Sequence, residues 1–150
     1  MTTTATRLLK WGSHYHLGIE QIDEEHERLA LLLNELYLNH RNEEPRSLLG
    51  RGLREFIAAI AEHFAAEEEL MLRIDYPKAP DHKAEHERLA RQVTEFQADF
   101  EAGRSQLTES MMLDLKDWLR DHMLVSDRRL GEFLRARASR QPLSRAATAS

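Results

Sequence analysis

The sequence predicts an all-α fold, an up-down-up-down antiparallel four-helix bundle preceded by an irregular N-terminal arm. Three observations lead there. Apolar residues recur at three- and four-residue intervals in four separate segments. The breaks between those segments are short, which makes consecutive helices antiparallel neighbours. Charged residues are 31% of the 150 and apolar residues 41%, and the two kinds are interleaved as in helices with one buried and one solvated face.

Residues 1–18 carry Gly12 and Gly18 and no sustained period, and form the arm. The first helix begins near Ile19, with Ile22, His26, Leu29, Leu33 and Leu36 down one face, and ends before Asn42 and Pro45. The second starts at about Pro45, a residue tolerated in a first turn. It runs to about Ile74 and turns Leu49, Leu53, Phe56, Ile60, His63, Phe64, Glu67 and Met71 inward. The stretch Asp75-Tyr76-Pro77 breaks it, and Pro80-Asp81 opens the third helix. That helix carries His82, His86, Leu89, Val93, Phe96 and Phe100 and stops at Gly103. The fourth follows Thr108 and carries Met111, Leu115, Trp118, Leu119, His122, Leu124 and Leu130, ending near Leu134. Residues 1–136 then form one domain, and 137–150, rich in Ala, Ser and Arg, are expected to stay disordered.

Bulk properties exclude several function classes. The chain has no cysteine, so disulfides, thiolate metal sites and cysteine nucleophiles are ruled out. A net charge of −5 gives no reason to expect a nucleic-acid partner. The start MTTTATRLLKW lacks the apolar core of a secretory signal. No stretch approaches the ~18 apolar residues of a membrane span. A cytoplasmic protein that does not insert into membranes is expected.

Seven residues stand out: His26, His63, Glu67, His82, His86, His122 and Asp127. An i, i+4 pair on a helix differs by only ~40° in azimuth, so His63 with Glu67, and His82 with His86, point at one volume. His122 and Asp127 are i, i+5, ~140° apart on an ideal α-helix. Both face the core only if the helix is locally unwound, so a π-bulge is expected between them. The spacing HxxxE alone is weak, since His16/Glu20 and His40/Glu44 also show it, whereas HxxxH occurs once. More telling is level. At ~1.5 Å per residue, counting along antiparallel helices puts all seven within a slab roughly 15 Å thick. Nitrogen and oxygen donors without sulfur suit iron, zinc or manganese and disfavour Cu(I). Carboxylates can bridge two hard cations. An all-protein ligand set ringed by Leu, Ile, Phe and Trp excludes water, which favours reversible binding over turnover. His14, His16 and His40 read as surface residues and Met71 as core. Asp23, Glu68 and Glu69 are candidates for contacts behind the ligands, or solvated side chains.

At these residues the chain resembles the bacterial hemerythrins. The likeness spans roughly Trp11 to Leu130 and rests on GIEQIDEEH (18–26), HFAAEEELM (63–71), YP (76–77), HKAEH (82–86) and WLRDHMLVSD (118–127). It implies a carboxylate-bridged non-heme pair of iron ions with a bridging oxo or hydroxo group. His82, His86 and His122 would ligate one iron, His26 and His63 the other, and Glu67 and Asp127 would bridge them. O2 would bind at the open position of the two-histidine iron. Leu29, Phe64, Trp118 and Leu119 would wall the O2 pocket. Glu25 departs from the pattern, which often has Gln before this histidine, and the long C-terminal tail lies outside it. The function implied is non-catalytic, reversible O2 binding for transport, storage or delivery, with an oxygen-consuming enzyme or redox partner as recipient. Competing readings are O2 or redox sensing, a di-iron oxidase or peroxidase, and iron handling. The paired Glu-x-x-His motifs of ferritin-like oxygen-activating sites are missing, which weighs against the enzyme.

Overall fold

The computed structural model describes residues 7–140. A 3-10 turn at Ser13–Tyr15 is followed by α1 (Glu20–Arg41), α2 (Arg46–Arg73), α3 (Ala79–Glu101), α4 (Glu109–Asp121), a π-helical segment (His122–Asp127) and α5 (Arg128–Arg140). Backbone angles stay helical through His122 and Arg128, so α4, the π segment and α5 form one continuous fourth helix. The result is the expected up-down-up-down bundle, with α2 packed on both α1 and α3.

Local chemistry explains the boundaries. Asp23, in the first turn of α1, accepts hydrogen bonds from the backbone N–H groups of Leu17 and Gly18 at 2.8 and 3.1 Å. That ties the arm to the helix start and removes Asp23 from the candidates for a contact behind the ligands. Pro80 lies in the first turn of α3, where its missing N–H would have had no helical partner. Gly103, at φ +79°, takes the left-handed conformation that ends α3 and that a side chain disfavours. Thr108 caps α4 by accepting from the Met111 N–H at 3.1 Å; Ser/Thr caps of this kind stabilise a helix by about 1 kcal/mol.

The arm is irregular but packed. Leu9 exchanges two backbone hydrogen bonds with the Asn34 side chain, at 2.8 and 2.9 Å, and Trp11 stacks on buried Tyr15 with centroids 4.9 Å apart. At the other end, the fourth helix runs to Arg140 rather than ending near Leu134. Its last residues include Ala and Arg, strong helix formers with no breaker among them. The Arg137 guanidinium donates to the Ile74 carbonyl at the end of α2. Of the expected tail, residues 141–150 lie outside the described residues.

Two apolar clusters fill the bundle. The larger includes Leu33, Leu36, Leu53, Phe56, Met112 and Met123. The smaller, at the end holding the α2–α3 turn, contains Met71, Ile74, Tyr76 and Leu130. Met112 and Met123 are fully buried, whereas Met111 and Leu124, assigned to the inner face from the sequence, are half-buried. The extra residue in the π segment shifts the inner face, so a uniform 3.6-residue period misplaces Leu124. Among the described residues no helix is long and apolar enough to cross a membrane.

Candidate metal centre

The seven polar side chains singled out in the sequence are all buried. α1 contributes His26, α2 His63 and Glu67, α3 His82 and His86, and the π segment His122 and Asp127. The π segment solves the i, i+5 problem: its wider turn brings His122 and Asp127 nearly into line on the inner face. Their donor atoms form two groups, each within 4.8 Å: His82, His86 and His122 with both carboxylates, and His26 and His63 with both carboxylates.

Each carboxylate divides its oxygens between the groups. Asp127 Oδ2 lies 2.6 Å from His26 Nε2 and 3.2 Å from His63 Nε2. Its Oδ1 lies 3.1 Å from the Nε2 atoms of both His82 and His122. Glu67 repeats the division, with Oε2 at 3.1 Å from His63 Nε2 and Oε1 at 3.2 and 3.0 Å from those of His82 and His86. Two carboxylates thus span a three-histidine half and a two-histidine half, one oxygen to each.

The outer nitrogens define the chemistry of the inner ones. His63 Nδ1 meets Glu25 Oε1 at 2.6 Å, His86 Nδ1 meets Glu68 Oε2 at 2.9 Å, and His122 Nδ1 meets Glu85 Oε1 at 2.5 Å. A carboxylate only accepts, so these Nδ1 atoms carry hydrogen and donate. In a neutral ring the Nε2 lone pair then faces inward, toward carboxylate oxygens that are acceptors too. Only a positive charge between them makes that arrangement favourable, either protons on the rings or bound cations. His122 Nε2, Asp127 Oδ1 and Glu67 Oε2 are buried with no hydrogen-bond partner despite their close neighbours. Lone pairs that converge without bonding one another fit a bound cation.

Without metal, protons fill that role. Burial would lower the His63 pKa. The charge of Glu67 and the hydrogen bonds to Asp127 and Glu25 override it and hold His63 well above its ordinary value. His122 is raised in the same way, against burial, chiefly by Asp127, and the adjoining Asp127 and Glu67 carboxylates raise His82 to about 9 against its own burial. Burial and the Asp127 charge push Glu67 up, yet His63 and His122 hold it well below the usual carboxylate range. Asp127 is likewise low despite burial, chiefly because of His122.

An apolar wall covers the upper side of the cluster, the side away from the α2–α3 turn. Phe64 stacks on His86 with centroids 3.8 Å apart and rings 6° from parallel. Trp118 lies along His122 at 5.9 Å and 21°. Leu29 and Leu119 are buried in the adjoining cluster. Trp118 is half-buried and also lines a groove of about 430 Å³ between α3 and α4. A smaller polar pit of about 120 Å³ opens beside His82 and Glu85.

Sequence reasoning missed Glu85 and Ser126. The Ser126 hydroxyl donates to Glu85 at 2.8 Å, fixing the carboxylate that receives His122. The available signal was spacing, since Ser126 is i+4 from His122, but a serine four residues from a histidine is too common to single out. Glu68 does reach His86, whereas Glu69 is exposed. His14 and His16 are exposed and His40 half-buried, and Met71 is buried.

The chain matches the family described as the hemerythrin HHE cation binding domain over residues 17–134. It is 31% identical to the bacteriohemerythrin of Stenotrophomonas maltophilia over 86% of this chain and 83% of that one. It is also 31% identical to the bacteriohemerythrin of Pseudomonas aeruginosa, over 79% of this chain and 76% of that one. A crystal structure of wild-type hemerythrin superposes with a TM-score of 0.79 at 26% identity, covering 83% of this chain and 96% of that chain.

Proposed function

Because the chain belongs to the hemerythrin family, we propose that its buried cluster holds two iron ions and binds O2 reversibly, without catalytic turnover, for transport, storage or delivery. His82, His86 and His122 would hold one iron and His26 and His63 the other, and Glu67 and Asp127 would serve both. The observation that carries this reading is the division of oxygens: each carboxylate turns one oxygen toward the three-histidine half and the other toward the two-histidine half. The unequal histidine count would leave the two-histidine side short of one protein ligand, which is where O2 would bind.

When bound, two irons would supply the two electrons that reversible O2 binding requires. The chain's own residues do the rest. Glu25, Glu68 and Glu85 fix three imidazoles with Nε2 inward. Phe64, Leu29 and Leu119 keep water from the upper side, and Trp118 stands between His122 and the groove outside. A buried, water-poor site limits the loss of charged oxygen species, which favours release of O2 over its reduction. We place the protein in the cytoplasm, delivering O2 to an oxygen-consuming enzyme or redox partner.

The test is repeated cycling. The chain is loaded with ferrous iron without oxygen, exposed to O2, then purged, while the visible spectrum is recorded. An absorption band that appears and bleaches over several cycles, with two irons per chain, is the expected result. Irreversible oxidation in the first exposure, or turnover of an added reductant, would overturn it.

A further inference from the structure

Three glutamates from three different helices lie immediately behind the histidines: Glu25 of α1 on His63, Glu68 of α2 on His86 and Glu85 of α3 on His122. We propose that Glu25, Glu68 and Glu85 act through these imidazoles to set the redox poise of the centre, holding it toward its oxidised form. The inference rests on the iron reading above.

Charge supplies the first argument. Glu67 and Asp127 inside and the three outer glutamates make five carboxylates around one pair of ions. With a hydroxo bridge the count is six negative charges, which exceeds the four positive charges of two ferrous ions and matches the six of two ferric ions. Uncompensated charge in a buried site is costly, so the surplus disfavours the ferrous form. Hydrogen bonding supplies the second. An imidazole that donates Nδ1–H to a carboxylate becomes a more basic ligand at Nε2 and stabilises the more highly charged ion.

The outer carboxylates are built into place. Ser126 donates to both oxygens of Glu85, at 2.8 and 2.9 Å, and Gln21 donates to Glu25 at 3.2 Å. Glu25, Glu68 and Glu85 are 28, 32 and 27% exposed, so water weakens each, but the three are directed at both halves of the centre. The consequence is a ferrous protein that oxidises readily.

These are positioning residues, and glutamine separates their charge from their geometry. The amide oxygen of Gln accepts the same Nδ1–H, so E25Q, E68Q and E85Q keep ring orientation and remove one charge each. The alanine variants remove both. E69Q deletes a neighbouring exposed carboxylate that bonds no histidine and serves as the control. The iron-loaded full chain is titrated without oxygen by dithionite through redox mediators, the ferric pair taking up two electrons, with absorbance and iron content recorded. Each Gln variant should raise the midpoint, increasing the ratio of reduced to oxidised iron at fixed potential roughly tenfold, the difference between a charged and a neutral hydrogen-bond partner. Iron content stays at the wild-type value in the Gln variants and falls in the Ala variants, whose midpoints rise as well. Gln variants that titrate with wild type, or an E69Q shift as large as theirs, overturn the inference. Failure of the wild-type chain to hold two irons overturns the iron reading; two irons and O2 cycling with unshifted potentials overturn this inference alone.

Discussion

Stripping the metal should leave a protein that loses stability as the solution turns alkaline. In the metal-free chain the inner nitrogens face carboxylates, and protons supply the missing positive charge. His82 titrates at about 9 instead of 6.5. One pKa unit corresponds to about 1.4 kcal/mol, so His82 contributes about 3 kcal/mol to the metal-free fold. A raised pKa means that the folded chain binds the proton more tightly than the unfolded chain. The contribution is complete below pH 6.5 and is lost as the pH rises through about 9. His63 and His122 are shifted in the same direction and fail in the same sense. The depressed pKa values of Glu67 and Asp127 are the other side of the same ion pairs and are not added again. They appear on acidification, where stability falls once those carboxylates protonate. Urea unfolding of the chelated chain across this pH range should therefore show a maximum on the weakly acidic side and a falling midpoint above it, with an unchanged slope. His82→Gln should flatten part of the alkaline limb. Stability that stays level or rises between pH 6.5 and 9, or an alkaline limb unaltered in His82→Gln, refutes the reasoning.

Glu67→Ala and Asp127→Ala should each hold well under two irons per chain by elemental analysis, because each removes the oxygens that link the two histidine groups; two irons and a normal visible spectrum in either variant would sink the bridging assignment. Deleting Val125, an exposed residue inside the π segment, should restore an ordinary α-helix and make His122 and Asp127 an i, i+4 pair ~40° apart. Iron binding should survive that deletion, and its loss would show that the π geometry itself is required. Asn34→Ala removes both hydrogen bonds that hold Leu9 and should cost ~1–3 kcal/mol while speeding proteolysis of the arm, with iron content unchanged.

Much of this architecture was legible because it follows from periodicity. The inner faces of α1 and α2 read correctly at Ile22, Leu29, Leu33, Leu53, Phe56 and Ile60, since one buried stripe on a regular helix leaves a direct imprint on the sequence. The distortion between His122 and Asp127 was legible for the opposite reason: two residues expected to point inward were one position out of phase for an α-helix. The same distortion hid what lay beyond it, and Met123 rather than Leu124 turned out to be buried. For Asp23 both readings stayed open, because its partners are backbone N–H groups of the arm, a bond that side-chain spacing does not register.

Local order alone determined the four helices, their breaks at Pro and Gly, and the presence of seven ligand-type side chains on inward faces near one level. Those are properties of short stretches, set by helical pitch and by residues that cannot continue a helix. Only the packed bundle decided which oxygen meets which nitrogen. The two-plus-three division depends on how Glu67 and Asp127 sit between helices that are distant in sequence. The outer glutamates depend on it still more. Glu25 and His63 are 38 positions apart and Glu85 and His122 are 37 apart, and a charged residue on a helix flank reads as solvated until a neighbouring helix brings an imidazole against it. Proximity of that kind is a property of three-dimensional packing, and no one-dimensional pattern encodes it.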